Sequence, residues 1–208
     1  MWSEVRAFFA SAGEEMKLSA MALAMPVVTG HPNRVPFEGV LTFVDVASDR
    51  APSGAKGHRV ILMRKAAEDA LPSLIGMAVN YGSRWDGHDA QRKCGIITEA
   101  DVEGLRLHVA GYLFGKDFPE IGKQIASMSA SDAGGGMGMS YELADAHVED
   151  MRAAIWKLNK VTFTGAAILL RSKAAYAGTS FRISASGKHD AAVARVPIPA
   201  LAVARRFA

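Results

Sequence analysis

Two short segments carry the residue types of nucleophilic catalysis. Trp85-Asp86-Gly87-His88-Asp89 sets an imidazole between two carboxylates in a polar stretch. Neighbouring negative charge favours the protonated ring, so the segment predicts a loop histidine with a raised pKa, suited to act as a general base. Further along, Gly134-Gly135-Gly136-Met137-Gly138-Met139-Ser140 places a hydroxyl just after glycines that let the backbone come close to another chain. A serine nucleophile needs a rigid mount and a base within hydrogen-bond reach. The mount is legible: Met137, Met139, Tyr141 and Leu143 alternate with Gly138, Ser140 and Glu142, the period of a strand with a small, polar second face. Ser140 and Glu142 therefore point the same way. Taken singly, the two segments read more readily as a solvated histidine and a structural serine.

Other chemistries fit less well. The glycine run lacks the Gly-Lys-Ser/Thr ending of a phosphate loop and has a methionine where the lysine belongs, so nucleotide binding is not expected. Asp86, His88 and Asp89 have no second His or Cys at ligand spacing, so neither a metal nor another cofactor is expected. Cys94 opens an apolar strand, where a free thiol usually serves as a small buried hydrophobe. His31, His58, His108 and His147 have no partner that the sequence reveals.

The elements that must position these residues are short strands. Apolar runs at Val40–Val46 and Val60–Met63 flank a loop rich in Ser, Gly, Pro and Lys. Residues 66–78 read as a short helix interrupted at Pro72, and Tyr81–Gly95 as a surface loop, too polar for the core. Ile96 and Ile97 begin a hairpin that turns at Glu103-Gly104 and returns with Leu105, Leu107 and Val109 alternating with Arg106, His108 and Ala110. Ile121, Ile125 and Met128 share one face of a helix over 118–129. A last strand region covers Ile155–Leu170, and residues 185–190 read as a linker. The pattern predicts α+β architecture dominated by β, an antiparallel barrel or sheet decorated with helices. Turn signals at Pro26, Gly30, Pro32 and Pro36 divide an N-terminal arm or pro-segment (1–35) from a main domain (36–184), followed by a tail (185–208).

Composition bounds the rest. With 208 residues, 50% hydrophobic and 22% charged, one domain can fold without staples. One cysteine excludes an internal disulfide and makes a cytoplasmic setting the natural expectation. A net charge of +3 without any long run of like charge does not call for nucleic acid. No apolar run reaches the roughly 18 residues of a membrane-spanning helix, so no membrane role is expected.

Read in order, the motifs resemble a known family. His88-Asp89, then Cys94-Gly95-Ile96-Ile97-Thr98-Glu99-Ala100, then Leu105–Gly111 resemble the histidine region of the tailed-phage prohead maturation proteases, serine peptidases related to herpesvirus assemblin. Gly138-Met139-Ser140-Tyr141 is similar to that family's nucleophile strand, and Leu158–Ala167 to the strand after it. The resemblance covers residues 37–181. It implies a closed, mostly antiparallel β-barrel with helices around it, and cleavage of scaffold and capsid proteins inside immature phage heads in the host cytoplasm. A weakly oligomerising enzyme is expected, and the small residues of the alanine-rich arms at 18–26 and 191–204 suit them to self-processing. Ser140 would be the nucleophile and His88 the base. The family's third residue, an acid or a second histidine, aligns here with Lys160, which offers donors only. Glu142, on the face of Ser140, is the first choice for the orienting carboxylate, Asp150 the second and a bare dyad the third. Lys160 as base is a further alternative, and Arg171 is a candidate for the oxyanion hole. Two other readings stay open: a non-catalytic capsid-assembly or scaffold-binding module on the same barrel, and an unrelated ligand-binding barrel.

Overall fold

The computed structural model of the chain describes residues 20–183, apart from 24, 27, 29 and 130–135. The expected tail, most of the N-terminal arm and the Gly134-Gly135 pair lie outside the described residues. In chain order the elements are β1 (Ala20–Ala22), β2 (Arg34–Phe43), β3 (Arg59–Leu62), α1 (Arg64–Ala70), β4 (Ala78–Tyr81), β5 (Lys93–Glu103) and β6 (Arg106–Phe114). They continue with α2 (Pro119–Ser129), β7 (Met137–Val148), β8 (Ile155–Leu170) and β9 (Ser180–Ile183).

Local pattern explains most of them. β6 buries Leu107, Val109 and Leu113 and turns Arg106, His108 and Ala110 to its other face. Gly104, at φ +56°, supplies the left-handed turn into it from β5. Leu105, expected to face inward, sits in that turn and is half exposed. The helix expected over 66–78 is shorter: α1 gives way to a 3-10 turn at Leu71–Ser73, because Pro72 offers no N–H to continue it. α2 and the Tyr81–Gly95 loop lie close to the expected bounds, although β5 begins two residues before Gly95.

The sheet departs from the closed antiparallel barrel expected above. Its hydrogen-bonded order is β3-β8-β4-β5-β6-β2-β9, with β7 added to β8 and β1 to β5. β3 and β4 both run parallel to β8, at Ile155–Leu158 and Ala166–Ile168 respectively, so the sheet is mixed. Among the described residues neither β3 nor β7 forms a ladder with β9; only isolated bridges, Val44–Leu62 and Ala47–Ile61, join the run-out of β2 to β3. The sheet is therefore open. Period-two alternation reports a strand and its buried face but carries no information on parallel pairing or closure.

The core forms where β2, β5, β6, β7 and β8 turn their apolar faces together: Phe37, Leu41, Ile97, Leu107, Met139 and Ile168 are all essentially inaccessible to solvent. Gly39 lets β7 approach β2, since a Cβ there would stand 2.8 Å from Met139 Sδ. That contact fixes which face of β7 is inside.

Candidate active site

Met139 and Tyr141 anchor the inner face of β7, the Tyr141 ring meeting Phe163 edge-on with centroids 5.6 Å apart. Alternation then delivers Ser140 and Glu142 to the opposite face, as their spacing predicts. Across the β7–β8 ladder Ser140 pairs with Ala167 and Glu142 with Gly165, and the register shifts immediately after Glu142. Small residues thus form the floor beneath both polar side chains.

His88 comes from the loop between β4 and β5, which is pinned at several points. Trp85, at φ 57°, stacks on Tyr81 at 4.8 Å, and its carbonyl accepts the N–H of Leu170 at 2.8 Å. Gly82 N–H donates to the Gly87 carbonyl at 2.9 Å. Beyond His88, the Asp89 N–H donates to Asn80 Oδ1 at 3.3 Å. Asn80 is buried and pairs in parallel with Ala167, the residue that also faces Ser140. Asn80, Ala167 and Ser140 therefore form one row across three strands, and the loop passes over it.

The result is a contact between the two sequence-predicted groups. His88 Nε2 lies 3.2 Å from Ser140 Oγ. On the other side of the ring, Glu142 Oε2 stands 3.7 Å from Nδ1, a charge contact longer than a hydrogen bond. Nδ1 is buried and has no hydrogen-bonding partner. With a carboxylate facing Nδ1, the neutral tautomer carries its proton there and leaves the Nε2 lone pair for the serine hydroxyl; this assignment follows from the partners.

The electrostatics correct one expectation. Burial holds the His88 pKa below its ordinary 6.5, and Glu142 pulls it only partly back. Glu142 is the carboxylate that raises it; the flanking Asp86 pairs with Arg84 at 3.1 Å and Asp89 with Arg92 at 3.3 Å. The His88 side chain is 16% exposed, whereas that of Glu142 is 54% exposed. The ring is thus neutral near pH 7, the form that accepts a proton.

Of the other candidates, Lys160 and Asp150 lie elsewhere. Lys160 is exposed and pairs with His147, seven residues along β8 from Ala167, or about 23 Å at strand rise. Asp150 is in the exposed turn beyond β7, where it accepts the Arg152 N–H at 2.8 Å. Neither stands at the His88–Ser140 pair. Arg171 follows β8 directly; its N–H donates to the Gly136 carbonyl at 3.1 Å, and its guanidinium fills the space over Gly136, where a Cβ would come within 2.8 Å of Nη2. Cys94 is buried, donates to the Val79 carbonyl at 3.4 Å, and its thiol pKa is pushed up to about 12 by burial. Such a thiol stays protonated and unreactive. Among the described residues, no group of three or more His, Cys, Asp or Glu gathers as a metal site would require.

Sequence reasoning quoted Trp85 and Gly165 within motifs without giving either a role, and passed over Asn80. Asn80 interrupts one apolar strand and Gly165 another, both recognisable as departures from pattern. Their roles needed the register of β8 against β4 and β7. Comparison with protein-family models, curated proteins and solved structures returned no match.

Proposed function

We propose that this chain is a serine endopeptidase of the prohead-maturation type, acting on scaffold and capsid proteins during phage head assembly. The observation that carries the reading is the 3.2 Å approach of His88 Nε2, from the β4–β5 loop, to Ser140 Oγ on β7. The order of the His88, Ser140 and Leu158–Ala167 motifs supports the substrate class. The closed barrel of the resemblance is not part of the proposal, since the sheet is open.

In the reaction, neutral His88 accepts the Ser140 hydroxyl proton at Nε2 as Oγ attacks the scissile carbonyl carbon. The resulting imidazolium is held by the Glu142 carboxylate facing Nδ1. Collapse of the tetrahedral intermediate breaks the C–N bond, and Nε2 returns the proton to the departing amine. Water, deprotonated by the same nitrogen, then hydrolyses the acyl-serine ester and regenerates the hydroxyl.

A fluorophosphonate probe tests the nucleophile directly. Mass spectrometry should find one adduct, on the peptide containing Ser140, and His88→Ala should suppress it. An adduct elsewhere, or equal labelling of the His88→Ala protein, would contradict the assignment.

A further inference from the structure

Glu142 is half exposed and long enough to take many rotamers, yet its carboxylate lies beside His88. Its confinement has a cause on the neighbouring strand. Gly165 is its direct cross-strand partner, and the Glu142 side chain lies across the bare glycine backbone. A Cβ built at 165 would overlap Glu142 Oε2 and stand 3.3 Å from Cδ and 3.4 Å from Cβ of the same residue. The three nearest atoms to such a Cβ thus all belong to Glu142. The register shift just after this pair, between Glu142 and Leu143, is the kind of irregularity that re-aims a side chain.

We infer that Gly165 is a positioning residue for the candidate base: its missing side chain is the slot in which the Glu142 carboxylate rests against His88 Nδ1. The inference rests on the catalytic reading of His88 and Ser140, but its physical content, the placement of one charge, can be measured without any activity. A methyl group at 165 meets the free end of a flexible side chain rather than backbone, so the fold survives and the carboxylate swings into solvent. The other charges flanking His88 stay as they are, because Asp86 and Asp89 remain paired with Arg84 and Arg92.

The test compares Gly165→Ala, Glu142→Gln and the double variant in the full chain, with two readouts. By NMR, the His88 pKa should fall in Gly165→Ala by the same amount as in Glu142→Gln, and no further in the double variant. In cleavage of the capsid partner, Gly165→Ala should lower kcat roughly tenfold with KM unchanged, well short of the loss on disabling a buried orienting aspartate, and should have no effect on a Glu142→Gln background. An unchanged His88 titration in Gly165→Ala overturns the positioning role whatever the activity. Wild-type protein that cleaves nothing, with the shared pKa shift intact, removes the protease reading and leaves the slot standing. Should Gly165→Ala not fold, Glu142→Ala/Gly165→Ala must restore folding, because it removes the carboxyl group that comes nearest a Cβ at 165; a double variant that also fails to fold counts against the inference.

Discussion

Asn80 Oδ1 accepts the backbone N–H of Asp89 at 3.3 Å, so the residue after the candidate base is tied to a buried side chain on β4. This contact links the mobile kind of element, a loop, to the row of the sheet that carries Ser140. Asn80→Ala removes the acceptor and leaves the Asp89 N–H to water. Stability should fall by about 1 kcal/mol, the usual net worth of such a bond. Turnover should fall more steeply, roughly tenfold, because small misplacements of a base are costly. Thermal unfolding and single-turnover cleavage on the same preparations separate the two effects.

The orienting carboxylate can be distinguished by a paired substitution. Glu142→Gln removes the charge facing His88 Nδ1 and should lower turnover roughly tenfold, a factor limited by solvent screening of a half-exposed group. Asp150→Asn, in the turn beyond β7, should leave the rate within about twofold, as surface changes generally do. The reverse order in steady-state kinetics would contradict the assignment.

The depressed His88 pKa makes two linked statements about pH. Cleavage should rise through a midpoint below 6.5 and be level at neutral pH, since the base is needed unprotonated. For stability, the unfolded chain binds this proton more readily than the folded one, so acidification favours unfolding. The contribution is fully present above about 6.5 and is lost as pH falls through the lower, folded value. Thermal unfolding between pH 5 and 8 should therefore show a pH-dependent component that His88→Asn abolishes.

Two residues with reactive side chains should prove dispensable for chemistry. Lys160→Ala changes an exposed residue far along β8 and should leave cleavage unaltered. Cys94→Ala should likewise retain cleavage, and the native thiol should resist alkylation until the protein unfolds, given its burial and raised pKa. Loss of activity in either variant without loss of folding would require a different site.

Much of this was legible in the chain. The alternation around Ser140 gives both its strand and the shared face with Glu142, and Gly104 marks the β5–β6 hairpin. The polar stretch Tyr81–Gly95 identifies the loop that bears His88, although its last residues, from Lys93, belong to β5. What stayed hidden depends on pairing between distant segments. The parallel contacts of β8 with β3 and β4 leave no local trace, so barrel closure was expected where the sheet is open. The pairing of β7 with β8 is likewise a contact between distant segments, and it is this ladder that sets Lys160 opposite His147, away from Ser140. The direction of the His88 pKa departs from expectation for a similar reason: Asp86 and Asp89 are visible beside it, but the burial of the ring, which lowers the pKa, is a tertiary fact.

The central claim is that Ser140 and His88 act together on peptide bonds. Wild type, Ser140→Ala and His88→Ala should each be co-expressed with the capsid partner, and the products mapped by intact mass. The account predicts cleavage by wild type and none by either folded variant. Identical products from all three, or an uncut partner with wild type, would contradict it and favour an assembly module without catalysis.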